Sequence, residues 1–185
     1  FDFLWRSGLA GSIVSGTSFV IASLFIYKTA YLITKNKPGS VLASLVFIWN
    51  PNILYLQATP MTELPLIAFY VLSTYFFARF IKEDTKYIFL IYSAFFGFCS
   101  ALSRYDGWFL ILAEASLLIL IYFPYTDLGK SLKELVAKRD WNEWYKLEGI
   151  VILFSTVAFF SIALWLIWDF LILGATGIQG RIVTR

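Results

Sequence analysis

Apolar residues in this chain gather into long runs separated by short polar breaks. The runs cover about Leu9 to Ile33, Ser40 to Gln57, Leu64 to Phe80, Tyr87 to Ser103, Trp108 to Phe123 and Gly149 to Leu173. About 20 mainly apolar residues in a helix cross the roughly 30 Å of membrane hydrocarbon. The pattern therefore predicts an all-α, polytopic transmembrane helical bundle of six membrane segments over residues 1–174, followed by a tail over 175–185. The second run is interrupted at Asn50-Pro51-Asn52. Pro51 removes a helix hydrogen bond and should kink or break that span. A break at membrane depth is tolerated only where protein or a water-filled cavity satisfies the freed backbone.

Two stretches have a different rhythm. Between Thr126 and Leu147, Leu128, Leu132, Leu135 and Val136 recur at helical spacing among lysines and acids, and Trp141, Trp144 and Tyr145 follow. This is the pattern of an amphipathic helix lying on the membrane interface, either as a lipid-surface connector or as a docking element. In the first run Gly8, Ser12 and Gly16 are spaced by four, and small residues at that spacing let helices approach closely.

Composition agrees with the runs. Of 185 residues, 59% are hydrophobic and 15% charged, against about 25% charged in an ordinary soluble domain. This excludes a disordered chain, a disulfide scaffold and almost any soluble enzyme. There is no histidine, so imidazole catalysis and histidine metal sites are excluded within this sequence. Cys99 has no partner cysteine and sits in an apolar run, where packing is its expected role. Residue 1 is Phe and Met61 is the only methionine, so the sequence is read as a piece of a longer membrane protein.

The net charge of +3 matters less than its distribution. Eleven of the fifteen basic residues fall in the loops after the first, third and fifth runs or in the closing turns of those runs, as Lys28 and Arg79 do. Loops rich in Lys and Arg stay cytoplasmic. The Asn50–Glu63 loop, the Ser103–Gly107 turn and both chain ends are therefore expected on the non-cytoplasmic side, and the plasma membrane of a prokaryote is the expected location.

The unusual residues collect on that side. In Asn50–Pro65 (NPNILYLQATPMTELP), Thr62 is placed to cap the third helix and Glu63 lies in its first turn. An acid there suits the helix dipole, so Glu63 is either a helix-capping acid or a carboxylate projecting into a polar cavity. In SRYDGW, Ser103 to Trp108, Arg104 carries a planar guanidinium suited to phosphate, or alternatively pairs with Asp106 or Glu63. Tyr105 and Trp108 fit an aromatic belt. Glu114 lies seven residues past the turn, about 10 Å deep at 1.5 Å per residue, and Asp169 lies near the outer end of the last run. Ionisable residues within spans are costly and functional by default, although Glu114 is equally well read as hydrogen-bonded to a neighbouring helix. The candidate substrate and lipid-phosphate set is Glu63, Arg104 and Asp106, with Thr62, Tyr105, Asn50 and Asp169 around them. No spacing demands a metal, yet carboxylates can hold a hard divalent ion.

Together these segments resemble the middle of GT-C fold glycosyltransferases. They are a small-residue helix ending in basic residues, a helix with an Asn-Pro break, a Thr-Pro-Met-Thr-Glu loop and an Arg-Tyr-Asp-Gly-Trp turn. The likeness is strongest to the protein-mannosyltransferase-like family of archaea and bacteria, and the GPI mannosyltransferases are arranged similarly. It extends over about Leu9 to Gly174. The resemblance implies transfer of a mannose-like hexose from a polyprenyl phosphate to a glycan, lipid or protein acceptor on the non-cytoplasmic face. It implies that Glu63 lines the active site and that Arg104 holds the donor phosphate. It also implies a catalytic acid in an external loop upstream of Phe1, so this chain alone is expected to be inactive; Asp2 lies too close to the chain end for that role. The tail after Gly174, ATGIQGRIVTR, departs from the family pattern of Asp-Pro and a further loop. The competing readings are a transporter or flippase segment, in which broken helices form a midplane site, and a non-catalytic membrane scaffold subunit. Clustering of the polar motifs at one face favours the transferase.

Overall fold

The computed structural model describes residues 3, 6, 8–83, 87–122 and 141–173, and all the elements it forms there are helices. They are α1 (Leu9–Thr34), α2 (Lys37–Ile48), α3 (Pro51–Gln57), α4 (Glu63–Lys82), α5 (Tyr87–Ser103), α6 (Gly107–Tyr122) and α7 (Trp141–Leu173). The predicted tail, and the part of the predicted interfacial helix before Trp141, lie outside the described residues. The rest of that predicted helix, from Trp141, runs without a break into the last span as one 33-residue helix.

The boundaries follow local chemistry. α1 ends where Lys35 takes a left-handed conformation, φ 55°, and its N–H reaches Tyr31 O. Asn36 then caps α2, its side chain accepting from Gly39 N, with Pro38 in the first turn, where a missing N–H costs nothing. The expected break at Asn50-Pro51 is present. Asn50 caps α3 by accepting from Asn52 N at 2.9 Å, Pro51 opens it, and α2 and α3 meet at a 65° bend.

By length and composition three helices qualify as membrane spans: α1, α4 and the Glu148–Leu171 stretch of α7. The bent α2–α3 pair makes a fourth if counted as one span. This differs from the predicted six. α5 has 17 residues and α6 has 16, at and just below the shortest length, about 17 residues, that spans a bilayer.

The interior is built on small and polar positions. α1 buries Ser15, Ser18, Ala22 and Ser23, while Ile13, Val14, Val20 and Leu24 point outward. That is the pattern of helices packing in lipid, where the surroundings are as apolar as any core and close approach drives association. α1 and α4 run parallel: Pro60, just before α4, packs on Gly11, and at the other end the Lys82 ammonium donates to Leu32 O. α5 returns antiparallel to α4, with Tyr87 against Phe80. α6 and α7 close on α4 and α5 around Phe77, Phe80, Leu90, Ile111, Leu118 and Phe154. α7 runs parallel to α5, bringing Phe154 to Phe77 and, further on, Trp165 to Ala101.

Candidate functional site

One end of the bundle gathers the charged residues that lie in the Asn50–Pro65 and Ser103–Trp108 motifs. Its position is set from α1. The Ala58–Met61 loop lies across the small-residue face of that helix: Ser12 Oγ donates to Ala58 O at 3.1 Å and Ser15 Oγ to Met61 O at 3.1 Å. A Cβ built on Gly11 would stand 2.4 Å from Pro60 Cβ. The small residues predicted to admit a neighbouring helix thus seat a loop here. The contact residues include Gly11 and Ser15, which the spacing of four from Gly8 passes over.

The seated loop delivers Glu63 to the first turn of α4. Thr62 occupies the cap position but not the predicted capping role: its hydroxyl makes no cap bond. Its backbone is already helical, φ −87° and ψ −4°, whereas a capping side chain reaches the first N–H groups from extended geometry. Only its carbonyl serves, accepting from Leu66 N at 3.0 Å.

Across from Glu63 is the turn between α5 and α6. Gly107 packs so tightly on α5 that a Cβ there would lie 2.4 Å from Ala101 N and 2.5 Å from Ser100 C, so only glycine fits. Arg104 N bonds Ser100 O at 3.3 Å, and Gly107 N returns to Arg104 O at 3.0 Å. Tyr70 on α4 donates to Asp106 O at 3.0 Å. Held this way, Arg104 Nη1 meets Glu63 Oε1 at 2.6 Å and Nε meets Asp106 Oδ2 at 3.1 Å. Both alternative ion pairs raised for Arg104 are therefore formed. Its side chain is 40% exposed and that of Asp106 is 59% exposed. Pairs this exposed contribute about 0–1 kcal/mol, so their effect is to orient the guanidinium rather than to hold the fold. A guanidinium has five N–H donors. The two bonds use two of them.

Aromatic rings flank the turn. Tyr105 lies edge-on to Trp108 at 5.4 Å and against Trp165 at 4.7 Å, and Trp165 Nε1 donates to Ala101 O at 2.9 Å. Asp169, one helical turn beyond Trp165, is at the same end, half-buried, with no salt bridge among the described residues. Asn50 is exposed, its side chain committed to the α3 cap.

Glu114 is not part of this end group. It is 3% exposed and is held between helices, with Ser73 Oγ at 2.8 Å and Ser93 Oγ at 3.1 Å from Oε2. Ser73 also reaches Ser93 O at 2.9 Å. One side chain from each of α4, α5 and α6 therefore meets in a closed polar knot, the neighbour-bonded alternative for this residue. Gly97 lies beside it, where an added Cβ would make ordinary contacts, 3.6 Å from Ser73 Oγ and 3.5 Å from Ile111.

Among the described residues three buried side-chain atoms lack any partner: Glu63 Oε2, Ser100 Oγ and Trp108 Nε1. All three surround the Arg104 turn. Ser100 and the nitrogen of Trp108 were not legible as polar site groups in the sequence. Their only signal is a spacing of four on either side of Arg104. No group of three or more potential metal-ligating acids or cysteines occurs among the described residues.

The fold and the site define a helical bundle with helices long and apolar enough to span a membrane and with a Glu63–Arg104–Asp106 ion-pair group at one end. Comparison with protein-family models, curated proteins and solved structures finds no match to this chain.

Proposed function

We propose that this chain is part of an integral-membrane, GT-C-type glycosyltransferase with six membrane segments. It takes a hexose from a polyprenyl-phosphate donor on the non-cytoplasmic face, and Arg104 holds the donor phosphate. The observation that carries the reading is the state of Arg104. Its guanidinium is fixed from two directions by Glu63 and Asp106, is partly open to solvent, and keeps three N–H donors for an anion. A planar fork fixed in place suits bidentate capture of phosphate oxygens. An acid on each side also tells against permanent anion storage. The incoming phosphate has to compete with Asp106, the more exposed of the two, and this favours a ligand that binds and leaves. Displacement of Asp106 leaves Glu63 beside the bound phosphate. A divalent ion would supply counter-charge for these carboxylates. The residues present do not by themselves fit such an ion: Glu63 and Asp106 are both paired with Arg104, and no group of three metal-ligating side chains occurs among the described residues.

The position of the mixed acid–arginine group Glu63–Arg104–Asp106 at an end of the bundle, instead of at a midplane break, favours this reading over a transporter. The test is binding of a polyprenyl-phosphate hexose to the purified protein in micelles, with sugar transfer assayed in the full-length protein. Arg104→Ala should abolish binding and transfer, and Glu63→Gln should abolish transfer, with expression intact in both. Normal binding and turnover in Arg104→Ala would refute the assignment.

A further inference from the structure

The three unpartnered buried atoms ask for an explanation that the ion pairs do not give. A buried polar atom without a partner costs about 1–3 kcal/mol, and most native buried groups are satisfied. Here the exceptions fall on residues tied to one turn. Glu63 is the residue bonded to Arg104 Nη1, Ser100 carries the carbonyl that accepts Arg104 N, and Trp108 lies in the first turn of α6, four residues after Arg104. The contact of Gly107 with the backbone of Ser100 and Ala101 brings the Ser100 and Trp108 segments together. Ser100 is fully buried.

The chemistry of the three is complementary. Trp108 Nε1 is a donor only, the Ser100 hydroxyl both donates and accepts, and Glu63 Oε2 accepts. A single aliphatic hydroxyl answers such a set, because it accepts from the indole or from the serine and donates to the carboxylate. A bare phosphate offers acceptors alone and places negative charge against Glu63. An uncharged polyol leaves the open edge of Arg104 unused.

We propose that Glu63 Oε2, Ser100 Oγ and Trp108 Nε1 form a hydroxyl-binding subsite beside Arg104, so that this end of the bundle recognises a hydroxylated phosphate ester and discriminates it from phosphate alone. The inference rests on the reading of Arg104 as the phosphate-holding residue. The ligand enters by displacing Tyr105, which is exposed and lies over Trp108. The hydroxyl belongs either to a lipid-linked sugar phosphate or to a soluble one, and the two share this chemistry.

Equilibrium binding to the protein in micelles tests it with four probes: polyprenyl-phosphate hexose, polyprenyl phosphate, hexose 1-phosphate and inorganic phosphate. The wild type should bind the hexosylated lipid about tenfold more tightly than the bare lipid phosphate, the factor expected for one well-made hydrogen-bonded contact. Ser100→Ala and the conservative Trp108→Phe should each bring that ratio toward one while leaving affinity for polyprenyl phosphate unchanged, which shows that both variants are folded. Arg104→Ala should weaken both lipids together. The same tenfold preference for hexose 1-phosphate over inorganic phosphate would assign the soluble source, and its absence the lipid-linked one. A wild-type ratio near one for both pairs overturns the subsite. If Arg104→Ala still weakens both lipids, the phosphate reading stands without it; if Arg104→Ala changes nothing, both fall.

Discussion

Gly11 and Gly16 lie on one helix, and their replacement by alanine should act in opposite directions. An alanine in a helix interior is favoured over glycine by about 0.8–1.0 kcal/mol, and both substitutions share this gain. They differ in what the new methyl meets. At Gly16 the nearest atom is Gln57 O at 3.9 Å, an ordinary contact. At Gly11 the methyl would sit 2.4 Å from Pro60 Cβ and 2.9 Å from Pro60 Cα, where ordinary contact begins at 3.4 Å. Neither Pro60 atom is the end of a flexible side chain, so the loop must move by about 1 Å or the helix must tilt. Overpacking of this kind costs about 1–3 kcal/mol. Because the propensity gain cancels in the comparison, Gly11→Ala should be about 1–3 kcal/mol less stable than Gly16→Ala. For a chain of this size 1 kcal/mol corresponds to about 2–4 °C in melting temperature. Thermal unfolding of the two variants in the same detergent measures the difference directly. The displaced loop carries Glu63, so the ligand affinity of Gly11→Ala should fall as well. Equal melting temperatures would refute the claim that α1 seats the Ala58–Met61 loop.

Other outcomes follow from the same geometry. Glu114→Gln keeps a hydrogen-bonding side chain between Ser73 and Ser93 and should cost about 1 kcal/mol, within the range measured for interhelical hydrogen bonds in membrane proteins. Glu114→Lys places a cation in the same closed space and should cost about 3 kcal/mol or more; equal melting temperatures for the two would contradict the polar knot. Arg104→Lys keeps the charge but cannot hold Glu63 and Asp106 from two fixed nitrogens, so it should lose most of the lipid-phosphate affinity while its melting temperature stays within about 2–4 °C of wild type, because exposed pairs stabilise by at most about 1 kcal/mol. Cysteines at Thr62 and Asn36, both exposed at opposite ends of the bundle, should react with a membrane-impermeant maleimide from opposite sides. Labelling of both from one side would overturn the arrangement of α1 and α4.

Much of the helix plan is readable without coordinates because lipid-facing chains obey a simple rule. With no water to satisfy the backbone, apolar runs become helices and polar residues mark their ends. The run from Tyr87 to Ser103 coincides with α5, and the Asn50-Pro51 break falls where Asn50 and Pro51 open α3. The last helix was harder to delimit. Polarity changes near Gly149, but nothing between Trp141 and Gly149 stops a helix, and α7 continues through both. The number of spans depends on how the two shorter helices are counted. Hydropathy scores α5 and α6 as highly apolar, yet the Ser103–Gly107 turn leaves them 17 and 16 residues long.

The site divides along the same line. Charge type and position along a helix are one-dimensional properties, and they suffice to put Glu63, Arg104, Asp106 and Asp169 at one end of the bundle. Which atoms meet is a three-dimensional property. That Arg104 reaches Glu63 across 41 residues, that Glu114 turns inward to two serines, and that Gly11 admits Pro60 depend on how far each helix slides and rotates against its neighbours. No local pattern specifies that offset. It is set in part by a few small residues, Gly11 and Gly107, where a side chain would collide with the neighbouring segment, and Ser15, whose hydroxyl bonds Met61 O; their importance appears only once the partner segment is in place.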